Sequence, residues 1–165
     1  VRLHWSRQPR QPEYYLELAL VAEALADEGD AQCIPYIKTL ESFAPLEAMA
    51  IDARFLYRRG HTEQAVERLV SVYHAMRENA WPIQLVMQRT VKLAQEIAAD
   101  DKSAAPRLLE AIGQPFAVDM HEEIRREMTI DLASQIGLEA VLPMLETYEP
   151  NVIWNEEFLT FRATI

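Results

Sequence analysis

The most restrictive feature of this sequence is a proline that recurs at one position after successive helix-breaking turns. Four turns punctuate the chain, and their origins are Gly29, Gly60, Asp100 and Gly137. The sixth residue after each origin is, in order, Pro35, Val66, Pro106 and Pro143. Proline is well tolerated in the first turn of a helix, where the backbone N–H groups lack an intrahelical acceptor. The recurrence therefore predicts a helix pair used about four times, whose second helix begins in the same way each time.

Apolar residues recur at helical spacing between these turns, and no segment alternates with the period of two expected of a strand. The sequence therefore predicts an all-α fold. Gly29 and Gly60 are placed to end helices, Asp30 is placed to cap one, and Asp119 with Glu122 forms a candidate capping box. The predicted helices cover about 13–28, 31–43, 45–59, 62–79, 82–99, 103–112, 120–136 and 138–148, with a ninth beginning near Asn155.

The charge of the chain limits the kind of partner that it can bind. The formal net charge is −10, which argues against nucleic acid, because phosphate binding needs clustered Lys and Arg. Residues 1–12 carry Arg2, Arg7 and Arg10 without any Asp or Glu, which leaves −13 for residues 13–165. We therefore divide the chain into a basic arm or linker over 1–12, which either lies on the acidic body or is solvated, and a helical domain over 13–165.

Cysteine usage and hydropathy bear on the compartment. Cys33 is the only cysteine, and no apolar run approaches the ~20 residues that span a bilayer. Both features fit a cytoplasmic protein with no membrane partner in this segment. The chain begins without Met and ends inside a helical pattern, so we expect it to be a piece of a longer protein.

The sequence contains no recognisable catalytic or metal-binding constellation. The segment "HEEIR" lacks the second histidine of the H-E-x-x-H zinc motif, because Arg125 stands in its place. His121 and the two glutamates after it are interpreted as a solvated first turn, and "EEIRRE" as a solvated helix face. Cys33 has no evident histidine partner and is expected to be buried and inert. We therefore predict a protein that is not an enzyme and needs no cofactor and no metal.

Residues 49–72 resemble the tetratricopeptide repeat (TPR) family. Met49 and Ala53 stand where that family has a large and then a small residue in its first helix, and the turn glycine and the second helix are matched by Gly60, Ala65 and Leu69. Successive turns lie 31, 40 and 37 residues apart, against the family's period of about 34. The resemblance implies a right-handed α-solenoid of about four antiparallel helix pairs, whose concave groove binds a protein or peptide.

In TPR-like pairs the first helix of each unit faces the groove, which gives candidate binding residues by their offset from each turn. The candidates are Glu23 and Asp27 in the first unit, Arg54, Tyr57 and Arg58 in the second, and Asp131 and Gln135 in the fourth. The third unit offers an apolar stretch formed by Met87, Thr90, Ala94 and Ile97. The two arginines lie one turn apart and suit a ligand carboxylate. The alternative is that they only pair with nearby acids such as Glu47.

A second resemblance points to an enzyme whose active site lies outside these residues. The segments "RQPRQPEYY", "AWP" and "QPFAV" are similar to the helical tails that follow spermidine-synthase-like domains in some bacterial proteins. The chain carries neither the Gly-rich nucleotide loop nor the catalytic acid of an aminopropyltransferase. The resemblance implies a bacterial, C-terminal accessory domain whose partner is an upstream domain of the same polypeptide.

The end of the chain carries an apolar stripe on the predicted ninth helix. Its members share one helix face and are Trp154, Phe158, Phe161 and Ile165. The last helix of a solenoid normally turns a polar face outward. Either the eighth helix buries the stripe, or more chain follows, or a second copy covers it and the protein forms a homodimer.

Overall fold

The computed structural model describes residues 7–8, 10–79, 81–149 and 156–164, and this part of the chain is all-α. It contains nine α-helices and no residue in a strand, which confirms the predicted fold class. The helices are α1 (Tyr15–Asp27), α2 (Ile34–Glu41), α3 (Pro45–Arg58), α4 (Thr62–Met76), α5 (Gln84–Asp100), α6 (Ala105–Ile112), α7 (Glu122–Ile136), α8 (Leu138–Glu146) and α9 (Glu156–Thr164).

The turns that end α1 and α3 have the same backbone structure. Gly29 and Gly60 adopt φ values of 67° and 79°, the left-handed region that glycine enters without a Cβ penalty. The N–H groups of Gly29 and Asp30 donate to the carbonyls of Ala26 and Leu25, both at 2.9 Å. The turn after α3 repeats this pattern, because Gly60 and the residue after it donate to the matching carbonyls of the last turn. Both turns are Schellman caps, which ties the repeat seen in the sequence to one local geometry.

Two of the second helices begin in the same way. A 3₁₀ turn precedes α2 and α6, and the aspartate before each turn caps it: Asp30 accepts from the Gln32 N–H at 2.9 Å, and Asp101 from the Ser103 N–H at 3.0 Å. The α-helix then carries its proline in the first turn, as predicted for Pro35 and Pro106. Proline is placed there because it fixes a helical φ and forfeits no intrahelical hydrogen bond.

The prediction for the third proline is wrong. Helix α8 begins at Leu138, directly after Gly137, with no 3₁₀ turn between them. Pro143 therefore lies inside the helix rather than in its first turn. A proline there cannot donate to the carbonyl four residues earlier, which belongs to Glu139. The proline at the sixth position after the turn therefore marks the first turn of the second helix in only two of the units.

The helices pack as consecutive pairs. Helix α1 packs on α2, α3 on α4, α5 on α6 with its 3₁₀ turn, and α7 on α8. The first helices of neighbouring pairs also pack on one another, in the order α1, α3, α5, α7. The pair α3–α4 has the most extensive contact, and Ala53 and Ala65, the small residues that carry the TPR resemblance, are both fully buried. This arrangement fits a general helical-repeat description.

The start of α7 differs from its sequence interpretation. Asp119–His121 form a 3₁₀ turn in which no side chain caps the backbone, so the capping box of Asp119 and Glu122 is absent. His121 is only 1% exposed, and Arg125 is also buried. The sequence pattern assigned both to a solvated surface, because mixed charges at a helix start are usually exposed. In the structure α6 packs against α7, and Arg125 donates to the Ile112 carbonyl at the end of α6 at 3.0 Å.

A small second core closes the C-terminal end. It is formed by α7, α8 and the turn after α8, and it consists of Ile130, Ala133, Val141, Leu145 and Tyr148. Phe158 and Phe161 of α9 pack against it and are half-buried, so this part of the apolar stripe is covered by the chain itself. Trp154 and Ile165, the other two members of the stripe, lie outside the described residues.

Candidate functional site

The first helices of the pairs, α1, α3, α5 and α7, present the candidate site, and we call their shared surface the first-helix face. The sequence selected seven residues for it. The structure gathers five of them, Glu23, Asp27, Arg54, Tyr57 and Arg58, around the polar side of α5, whereas Asp131 and Gln135 lie apart from these on α7.

Arg54 is the buried centre of the first group. Its side chain is 7% exposed, and Nη1 donates to Asp27 Oδ1 at 2.9 Å across the α1–α3 contact. Nη2 donates to the backbone carbonyl of Arg89 on α5 at 2.8 Å. One guanidinium group thus links three first helices through charge-assisted and backbone hydrogen bonds.

Arg58 lies one turn further along α3 and continues the network towards solvent. Its Nη2 donates to Asp27 Oδ1 at 2.9 Å and to Glu96 Oε2 at 2.6 Å. Burial acts to raise the pKa of the Asp27 carboxyl, but the hydrogen bonds from Arg58 and Arg54 outweigh it and hold that pKa below its ordinary value. The carboxylate is therefore charged and engaged at neutral pH.

Tyr57 also turns inward to α5. Its hydroxyl donates to Asp100 Oδ2 at 2.5 Å and lies 3.3 Å from the Glu96 carbonyl, while the Arg58 guanidinium lies 5.2 Å from the ring centre. Burial, together with the hydrogen bond to Asp100, raises the pKa of Tyr57 to about 12. Tyr57 is thus a neutral donor held by α5 rather than an open anchor.

Glu23 completes the group on the α1 side. It is 2% exposed and accepts from Arg89 Nη1 at 3.1 Å. Burial raises its pKa in spite of the neighbouring Arg89 and Arg54 charges. A buried carboxyl of this kind holds α1 to α5 and is not exposed to a partner.

These contacts decide how the two arginines are used. Arg54 and Arg58 are occupied by carboxylates of the chain, as the alternative reading of the sequence had it, but the acids are Asp27 and Glu96 rather than Glu47. Glu47 is buried and instead accepts from the Tyr15 hydroxyl at 2.6 Å and the Ile83 N–H at 2.7 Å.

The third unit of the face is polar, not apolar, so the prediction for it is wrong. Met87, Thr90, Ala94 and Ile97 are all buried in the core. The side of α5 that reaches the network carries Arg89, Glu96 and Asp100, none of which the offsets selected. Each residue turns a helix by about 100°, so an offset error of one or two positions in an irregular repeat moves a side chain from the surface to the core.

The two candidates on α7 have few contacts. Asp131 is half-buried and accepts from Gln95 Nε2 on α5 at 2.8 Å, and burial raises its pKa. Gln135 lies one turn further on and is half-buried. The structure therefore brings Asp131 to α5 but leaves its charge without a cationic partner among the described residues.

A row of exposed aromatic and apolar side chains lies near the N-terminal ends of α1, α3 and α5, and sequence reasoning did not single it out. Tyr15 meets Phe43 edge-on with ring centres 5.9 Å apart, and both rings are substantially exposed. Trp81 is 89% exposed and lines a shallow cleft with Pro45, Leu46 and Met49. We call this row the aromatic edge.

Reactive groups are few in the described part of the chain. No group of three or more His, Cys, Asp or Glu side chains in it is arranged to hold a metal ion. Cys33 is fully buried as predicted, and burial raises its pKa to about 11, so its thiol is protonated at neutral pH. Burial lowers the pKa of His121, whose Nδ1 is buried and has no hydrogen-bond partner among the described residues. Both groups are enclosed by the core rather than open to a substrate.

The comparisons with known proteins leave the site to be judged on its geometry. No protein-family model matches the chain, and neither the curated proteins nor the solved structures gave a significant match. Among the described residues, no helix is both long enough and apolar enough to cross a membrane.

Proposed function

We propose that this chain is a non-catalytic interaction module, a right-handed solenoid of four helix pairs whose first-helix face binds a protein or peptide. One observation carries the proposal: the Asp27–Arg54–Arg58–Glu96 network joins α1, α3 and α5 into one braced surface. A surface that is rigid before binding loses less conformational entropy when a partner docks on it.

The charges on this face favour a basic partner. Arg54 and Arg58 are neutralised by Asp27 and Glu96. Asp100, at the solvent side of α5, accepts only from the neutral Tyr57 hydroxyl, and neither Asp100 nor Asp131 forms an ion pair with a cation among the described residues. The excess of carboxylates agrees with the net charge of −10. A partner with Lys or Arg side chains would meet complementary charge, which speeds its encounter with the face and orients it.

The test swaps charges on the face while keeping the net charge constant. Arg58→Glu with Asp100→Lys reverses two solvent-accessible members of the network and spares the buried Arg54. The matched control is Arg107→Glu with Glu67→Lys, an exposed pair on α6 and α4 that lies outside the first-helix face.

Each variant is compared with the parent by quantitative cross-linking mass spectrometry in cells, followed by affinity measurement with the purified partner. A partner that the parent and the control retain, and that the first-helix variant loses with its helicity and melting unchanged, supports the proposal. A partner that all three bind equally would place the binding surface elsewhere, with the aromatic edge the first region to mutate next. An experimental structure in which the pairs stack with a left-handed sense would contradict the handedness.

A further inference from the structure

A cleft of about 560 Å³ opens between α7, the turn after α8 and α9, beside the small C-terminal core. Acidic side chains of α7 line one wall and aromatic rings the other. The lining residues that carry the argument are Glu127, Asp131, Tyr148, Phe158 and Phe161.

The acidic wall lacks the neutralisation found elsewhere on the first helices. Glu127 and Asp131 lie one helical turn apart, where like charges repel each other. No described cation forms an ion pair with either of them, whereas Asp27 and Glu122 are each held by two arginines. Burial raises the pKa of both Glu127 and Asp131, and the charges of Glu123 and Asp131 add to the rise at Glu127, whereas the charge of Lys92 acts against it. Lys92 is thus near enough to act on Glu127 but forms no ion pair with it, so the wall keeps negative charge that no ion pair among the described residues neutralises.

Tyr148 supplies an independent sign that the cleft is incomplete. The residue is 4% exposed, and its hydroxyl oxygen is buried without a hydrogen-bond partner among the residues that the structure describes. Burial raises the pKa of Tyr148 to about 12, and the nearby Glu127 charge contributes. Buried polar groups in folded proteins are nearly always paired, so an unpaired hydroxyl beside an open cleft marks a contact left for a ligand.

The aromatic wall fits the same ligand chemistry. The rings of Tyr148 and Phe158 lie 5.1 Å apart, centre to centre, and Phe161 lines the cleft beside them. The faces of aromatic rings carry partial negative charge and attract organic cations. The Arg126 guanidinium is bound to Glu122 at 2.8 Å and lies 5.6 Å from the centre of the Tyr148 ring, so that ring already has a cation of the chain beside it. A bound cation would therefore contact the rings of Phe158 and Phe161, which also line the cleft. Carboxylates and phosphates would be repelled by the acidic wall, and a neutral apolar molecule would leave the two acids unbalanced.

We propose that this cleft binds one organic cation, an alkylammonium or alkylguanidinium group, between the carboxylates of Glu127 and Asp131 and the rings of Phe158 and Phe161, with the Tyr148 hydroxyl as a further polar contact. A Lys or Arg side chain of a protein and a free small amine offer the same chemistry. The site goes beyond the interaction function proposed above, since a free amine would occupy it without any protein partner.

The experiment titrates the ¹⁵N-labelled chain with n-butylammonium, n-butylguanidinium and n-butanol and follows the amide resonances of α7 and α9 by NMR. Saturable shifts with both cations and none with the alcohol are expected. Replacing both acids by Glu127→Gln and Asp131→Asn should weaken cation binding by about tenfold or more, because the charge-assisted contacts are lost while the shape is kept. The control variant Glu63→Gln with Glu67→Gln removes two exposed acids at the same spacing on α4 and should bind like the parent.

Two further measurements test the aromatic wall and the source of the cation. Phe161→Leu should weaken binding several-fold and leave the melting temperature within a few degrees of the parent. A short lysine peptide that binds more tightly than n-butylammonium, with a norleucine counterpart that does not bind, identifies a protein side chain as the source, whereas equal affinity identifies a free amine. Binding of n-butanol as tight as that of the cations, unchanged cation affinity in the carboxamide variant, or no saturable shift at all would overturn the proposal. None of these results would change the outcome of the charge-swap test of the first-helix face, because the residues altered in that test lie on α3–α6, away from this cleft.

Discussion

Arg54 offers the sharpest test of how the repeat is held together. We expect Arg54→Met to destabilise the chain, because methionine keeps much of the apolar stem but removes every donor. The lost contacts are the hydrogen bonds to Asp27 Oδ1 at 2.9 Å and to the Arg89 carbonyl at 2.8 Å. Only 7% of the Arg54 side chain is exposed, so water has little access to these hydrogen bonds and does not weaken them by competing for the guanidinium.

The expected magnitude follows from the exposure of the partners. Removing one member of a fully buried ion pair costs about 3–5 kcal/mol, because the other charge is stranded. Here Asp27 is 48% exposed and keeps Arg58, so its charge is hydrated and still paired after the change. The Arg89 carbonyl lies inside α5 and keeps its helical donor. The remaining loss is about 2–3 kcal/mol, the size of a hydrogen bond made by a charged group. In a chain of this length that corresponds to about 4–12 °C in melting temperature.

The measurement is urea unfolding followed by circular dichroism at neutral pH, with Arg68→Met as the matched control. Arg68 forms an ion pair with Asp52 at 3.0 Å, but its side chain is 46% exposed. Exposed pairs of this kind contribute about 0–1 kcal/mol and are screened by salt. If Arg54→Met is no less stable than Arg68→Met, or if 1 M salt (about 3 Å screening length) removes the whole difference, the buried network does not brace the first helices.

Further predictions concern the core, the thiol, the acid limb and the C-terminal helix. Ala65→Leu should lower the free energy of unfolding by about 1–3 kcal/mol through overpacking, and an unchanged urea midpoint would place Ala65 outside the α3–α4 contact. Cys33 should react with iodoacetamide far more slowly in the native chain than in urea, and equal rates would refute its burial. Hydrogen bonds from Arg125 and then Arg126 lower the pKa of Glu122, so the ionised carboxylate stabilises the fold at neutral pH. This contribution is lost as the pH falls through the lowered pKa. Glu122→Gln should therefore make the free energy of unfolding fall less steeply at acid pH, and curves that superimpose on those of the parent would contradict this. If α9 mediates a homodimer, light scattering across concentration should show a dimer that Phe161→Glu dissociates, and a strictly monomeric parent would exclude it.

The arm before α1 shows how far local reasoning reaches. Its Arg10 forms an ion pair with Glu17 of α1 at 2.6 Å, and this hydrogen bond lowers the pKa of Glu17 to about 2. The sequence left open whether the arm lies on the acidic body or is solvated. At Arg10 the arm contacts the body, whereas Arg2 lies outside the described residues.

Sequence alone determined the helices and many of their ends. Asp30 caps its helix start, Gly29 and Gly60 end α1 and α3, and Pro35 and Pro106 stand in first turns, all as predicted. These signals are readable because each depends on hydrogen bonds and backbone angles within about six residues of chain. The helical spacing of apolar residues also predicts which side of each helix faces the core, and Ala53 and Ala65 are buried as this spacing indicates.

Only the tertiary structure decided which polar groups meet. Asp27 reaches Arg54 from another helix, His121 is enclosed although a charged segment follows it, and α5 turns Arg89 and Glu96 to the network while its offset-matched residues are buried. No local signal encodes these outcomes, because they depend on the rotation of one helix against another. The turn spacings vary between 31 and 40 residues, and at about 100° per residue such irregularity changes which side chains reach the surface. The chain thus specifies its helices locally, but the partners of its charged side chains are fixed only when the pairs pack together.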